Sequence, residues 1–199
     1  MRDLATTRLA ALCLSRRGRP RGLTYDDHLV RGALILDLAV RGVLDHAADS
    51  VFLDHGRAAA HGLADVAAEA DEGDTGLEWW LDHGRTGFEE WRARLVEAGI
   101  WRLRPWTPWY PVRSFEDTER DRTEADRARG RRPVRTGTET PETLVVLALG
   151  PTSGLLGPIR EPEQWVLDDL GDARWAAELV VDRLTELRVR MRAIGRAVD

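Results

Sequence analysis

The chain has 199 residues, 43% hydrophobic and 32% charged, a balance that supplies a core and excludes a wholly disordered or collagen-like chain. A net charge of -5 and an isoelectric point near 5.6 argue against nonspecific nucleic-acid binding, which rewards a basic excess. All 29 basic residues are arginine, asparagine is missing and Gln164 is the one glutamine. That bias suits a GC-rich bacterial genome of actinobacterial type and points to no activity.

Leu4 to Leu14 reads as a first helix, stopped by Ser15, Arg16, Arg17, Gly18, Arg19 and Pro20. Cys13, with no disulfide partner, lies among Leu9, Leu12 and Leu14 at helical spacing and is expected to be a buried, inert thiol. Arg8 interrupts this start and no small-residue cleavage site follows, so it does not read as a signal peptide. Thr24 and Asp27 form a capping pair for a strong helix from Tyr25 to Val40. Its apolar run from Ala33 to Val40 contains Asp37 and falls short of the ~20 residues of a membrane span. The expected location is therefore cytoplasmic.

Val43 to His46 and Val51 to Asp54 predict a short hairpin. Ala58 to Ala70 predicts a helix, 71–76 a loop, and Leu77 to Ala98 a helical stretch broken around Gly84 and Gly87 and ended by Gly99. Trp101 to Arg113, with three tryptophans, a tyrosine and three prolines, reads as an extended pair. Ser114 and Asp117 offer a cap for a charged helix to Arg129, followed by a loop from Gly130 to Thr140. Thr140 and Pro141 start an apolar helix to Leu149. A short helix spans Glu163 to Leu170, and a final one spans Ala173 to Gly195 with Leu179, Val180, Leu184, Leu187 and Met191 on its core face. The expected architecture is mainly α, a single helical domain over residues 1–199 with one or two short β-hairpins.

Chemistry is sparse. The five histidines form no metal-ligand spacing, and no phosphate loop or nucleophile elbow is present, so neither a catalytic residue, a metal nor a cofactor is assigned. A helix followed by a two-stranded wing admits a winged-helix DNA binder, but Asp26, Asp27 and Asp37 on the would-be recognition helix oppose phosphate contact. Trp106, Trp109 and Tyr110 sit near a predicted hairpin tip, where rings with one polar edge suit a membrane interface; the alternative is a wing folded onto the core.

The run Arg31-Gly32-Ala33-Leu34-Ile35-Leu36-Asp37-Leu38-Ala39-Val40-Arg41-Gly42-Val43-Leu44 resembles the signature helix of the Golgi phosphoprotein 3 family, including its bacterial branch. Trp79, the stretch Arg94 to Ile100, Tyr110-Pro111-Val112 and Trp175-Ala176-Ala177 follow in the family's order. The resemblance implies a mostly helical domain that binds phosphatidylinositol 4-phosphate on a membrane through arginines beside an inserting hairpin. Arg31 and Arg85 match two headgroup-binding arginines. Phe88 stands at the position of the third and Gly22 at that of a binding tryptophan, and the family's turn is replaced around Ala58 to Gly62, so the fold transfers better than the ligand.

The leading expectation is a cytoplasmic peripheral membrane or adaptor protein on the inner membrane face. It binds an anionic phospholipid or a phosphorylated small molecule through Arg31 and Arg85, with Trp106, Trp109 and Tyr110 as the apolar wedge. A protein partner is a further candidate and nucleic acid is not expected. The alternatives are a small-molecule enzyme or binder with a tryptophan-lined pocket in the same fold, and the winged-helix DNA binder.

Overall fold

The computed structural model describes residues 1–22, 25–47, 50–72, 76–105 and 114–197. These residues form ten α-helices and two small antiparallel sheets of two strands each, and 61% of them are helical. This is the mainly α architecture expected.

The first helices set the centre. α1 (Ala5–Leu12) and α2 (Asp26–Val40) pack together, and every residue of α2 from Leu29 to Ala39 is buried. One polar group ties them. The Asp37 carboxylate, fully buried, accepts from the amides of Ala5 (3.0 Å) and Thr6 (2.9 Å) and from the Thr6 hydroxyl (2.7 Å). It thereby serves the unpaired first-turn amides of α1 from a different helix. Burial raises its pKa, and Arg41, paired at 2.8 Å, pulls in the other direction. Cys13 is buried as expected, and burial pushes its thiol well up.

β1 (Leu44–Ala47) and β2 (Ser50–Leu53) pair with Leu44 opposite Leu53. The helix expected from Ala58 to Ala70 is two, α3 (His55–Ala60) and α4 (Ala64–Asp71), because Gly62 turns the chain at φ 68°. The expected break near Gly84 and Gly87 is real and separates α5 (Gly76–His83) from α6 (Phe88–Glu97). Gly99, at φ 68°, ends α6.

β3 (Trp101–Leu103) then pairs with β4 (Phe115–Asp117), Leu103 facing Phe115. This corrects one expectation. Ser114 and Asp117 do not open a helix; the stretch is a strand, and α7 (Arg120–Arg131) begins later and runs past the expected end. β4 is held from its other side as well, since the Phe115 amide donates to the Gly18 carbonyl at 2.8 Å.

α8 (Pro141–Thr152) starts as predicted, with the Thr140 hydroxyl accepting from the Thr143 amide and Pro141 in the first turn. All its residues from Thr143 onward are buried. α9 (Gln164–Asp169), a 3-10 turn (Gly171–Ala173) and α10 (Arg174–Ala197) complete the chain. Val180 and Leu184 are buried on α10, but Met191 is 40% exposed, so the helix outruns the core and its apolar stripe is only partly covered. Trp80, Trp91 and Trp101 are each 1% exposed and fill the core between α5, α6 and β3.

Candidate anion-binding site

The candidate site is assembled where α2, α4 and the break between α5 and α6 meet. Arg31, early in α2, is 5% exposed. Its Nε donates to the Leu81 carbonyl at 2.6 Å, Nη1 to Gly84 at 2.7 Å and Nη2 to Asp82 at 3.1 Å. These are the carbonyls that the end of α5 leaves without helical partners, and a buried guanidinium answers both the hydrogen bonds and the negative end of the helix dipole. Burial lowers the Arg31 pKa, while Asp27, Asp82, Glu69 and Glu90 raise it.

Gly84 is required by this arrangement. A Cβ there would lie 2.7 Å from the Trp80 carbonyl oxygen and 2.9 Å from Arg31 Cδ. The chain therefore turns sharply, and the next residues face α4. The Glu69 carboxylate accepts from the amides of Arg85 and Thr86, from the Thr86 hydroxyl at 2.6 Å and from Trp80 Nε1 at 3.2 Å. Burial opposes its charge, but these donors outweigh that and hold it below the usual carboxylate range. Thr24, the expected capping partner of Asp27, lies outside the described residues. Asp27 Oδ1 accepts from the Phe88 amide at 2.7 Å, placing a negative charge at the start of α6, 61 residues away.

Arg31 and Arg85 thus belong to one neighbourhood but play different parts. Arg31 is turned inward and shapes the loop. Arg85 is 72% exposed and forms a surface ion pair with Glu72 at 2.8 Å. Phe88 is a core residue, its ring 6.4 Å from that of Trp101, and Gly22 is an exposed left-handed glycine at φ 62°. Trp106, Trp109 and Tyr110 lie outside the described residues. Their flanks are informative: β3 packs on α6, with Trp101 beside Phe88 and Phe115 under the Arg92 guanidinium at 4.9 Å. The ladder is described as far as the Arg104 amide, which donates to the Ser114 carbonyl at 3.0 Å.

Sequence reasoning missed Glu69 and the long-range part of Asp27, since neither forms a local motif. The winged-helix alternative, with α2 as its reading helix, was already opposed by Asp26, Asp27 and Asp37. Eleven consecutive residues of α2, Leu29 to Ala39, are buried against neighbouring helices, which leaves that stretch no free face for a groove.

A comparison with curated proteins finds no match. The family model of Golgi phosphoprotein 3 matches residues 8–188, from α1 through most of α10 and including both halves of the site just described. With the helical architecture and the order of its motifs along that span, the chain belongs to the Golgi phosphoprotein 3 family.

Proposed function

We propose that this protein is a peripheral membrane adaptor that binds an anionic, phosphate-bearing headgroup through Arg85, with Trp106, Trp109 and Tyr110 entering the bilayer beside it. The observation that carries this reading is the exposure of Arg85, three residues before Phe88, which opens α6 and packs on Trp101 of β3, the strand that precedes the aromatic segment. Arg31 serves the same site from inside, as a positioning residue that holds the loop bearing Arg85. The Arg85–Glu72 pair does not stand in the way. An exposed pair contributes less than about 1 kcal/mol, whereas charge-assisted bonds from a guanidinium to a phosphate are stronger and forked.

The apolar area of the aromatic segment suits weak, reversible attachment. Burying two indole rings contributes on the order of 3 to 5 kcal/mol by area, too little for permanent anchoring without the arginine. The test is flotation with phosphatidylcholine vesicles carrying or lacking phosphatidylinositol 4-phosphate or phosphatidylglycerol. Wild-type protein is expected to float only with an anionic lipid. Arg85→Ala is expected to weaken flotation, and Trp106→Ala combined with Trp109→Ala to abolish it with little change in melting temperature. Equal flotation of all three proteins overturns the reading, and a large loss of stability in the double variant moves those rings into the core.

A further inference from the structure

We propose a second anion site, separate from Arg85, in the cleft between the 15–20 loop, the end of β3 and α7, taking a phosphate group. Arg16, Arg104, Arg120 and Arg127 line it, together with Asp117 and Glu124. Both carboxylates already have partners. Asp117 accepts from the Glu119 amide at 2.9 Å and the Thr123 hydroxyl at 2.6 Å, and Glu124 is shared between Arg127 at 2.6 Å and Arg16 at 3.6 Å. Among the described residues, Arg104 and Arg120 form no ion pair within 4 Å. Positive charge is therefore in excess at the mouth.

The wall holds an unanswered donor. Arg127 is 7% exposed; its Nη2 donates to the Leu14 carbonyl at 2.6 Å and its Nη1 to Glu124, but its Nε is buried with no acceptor. A buried guanidinium N–H without a partner is unfavourable, and negative charge held in the cleft that Arg127 lines offsets that cost. Phosphate oxygens suit several forked donors at once, which neither a carbonyl nor a single carboxylate offers.

The cationic wall is also held in place. The Ser15 amide donates to the Arg19 carbonyl at 2.7 Å, the Gly18 amide to Ser15 at 2.8 Å, and the Gly18 carbonyl receives the Phe115 amide. A Cβ at Gly18 would fall 1.9 Å from the Phe115 oxygen, so the loop fits against β4 only with glycine there. Arg16 and Arg104 are thus carried by segments bonded to one strand.

The test uses the full chain with arginine Nε–H groups labelled for nuclear magnetic resonance, titrated with inorganic phosphate. A saturable shift of the Arg127 Nε–H resonance is expected. Arg104→Gln combined with Arg120→Gln, both exposed and checked for retained helicity, is expected to weaken that saturation about tenfold. Glu124→Gln is expected to tighten it severalfold by removing the competing carboxylate, a gain that a purely structural role does not produce. Arg85→Ala leaves it unchanged, which separates this site from the membrane reading. Flotation with vesicles carrying phosphatidic acid identifies the source of the phosphate: loss in the double variant assigns a lipid headgroup, and unchanged flotation beside saturable phosphate binding assigns a soluble ligand. A shift that never saturates, or that saturates equally in the folded double variant, overturns the proposal.

Discussion

Arg31 does more for the fold than an arginine in an exposed ion pair. Removing it strands three carbonyls at the end of α5 and opens a gap beneath the turn that carries Arg85. Arg31→Ala is expected to lower unfolding free energy by about 3 kcal/mol, measured by urea titration. Arg85→Ala is expected to change it by less than about 0.5 kcal/mol, because that side chain is exposed. A comparable loss from both variants contradicts the division of labour between them. His28 makes a related case through pH. Burial depresses its pKa below 6.5, Arg31 and Arg183 act in the same sense, and Asp82 and Asp27 oppose them. The folded protein therefore resists a proton that the unfolded chain accepts. Stability is expected to hold above pH 6.5 and to decline as pH falls through that value. Melting curves of His28→Gln should lose this part of the decline, and an unaltered profile removes His28 from the explanation.

At the scale of elements, α6 depends on a residue of another helix for its first turn. Asp27→Ala removes the carboxylate from the Phe88 amide, and a cost of about 1 kcal/mol is expected, with Asp27→Asn keeping most of the stability through its side-chain oxygen. Chemical denaturation of the two variants checks the order. The same residue shows where sequence reading succeeds and fails. Thr140 and Pro141 act on amides within three residues, so the start of α8 was legible. Asp27 also stands where a local capping residue belongs, yet one of its oxygens serves an amide 61 residues away. Ser114 and Asp117 carry the spacing of a helix start, but pairing with β3 and with Gly18 claims the backbone first. The site divides in the same way. The shared neighbourhood of Arg31 and Arg85 was legible by resemblance, while the inward turn of Arg31 follows from the carbonyls of α5, which lie 50 residues on.

Across the whole molecule, the pieces that serve the proposed headgroup site hang on a centre built from α1, α2, α8 and α10. Arg183 of α10 grips Asp82 at the end of α5 with two nitrogens, tying that centre to the loop before Arg85. Their mutual attraction lowers the Asp82 pKa and raises that of Arg183. The buried pair of Arg8 and Asp126, joined by Thr143, likewise connects α1, α7 and α8. The edge that carries the proposed site is thus fixed to the core by charged groups as well as by packing.

The enclosure of α8 carries a consequence for how the molecule opens. Every residue of that helix from Thr143 to Thr152 is buried, on all sides rather than along one stripe. Its amide protons can then meet solvent only when the entire structure comes apart, whereas those of α3, with five of its six residues exposed, need only a local fluctuation. Deuterium uptake in α8 is therefore expected to report the global unfolding free energy and to respond to Arg31→Ala but not to Arg85→Ala. Early uptake in α8 while α2 remains protected indicates instead that the centre separates into independently opening halves.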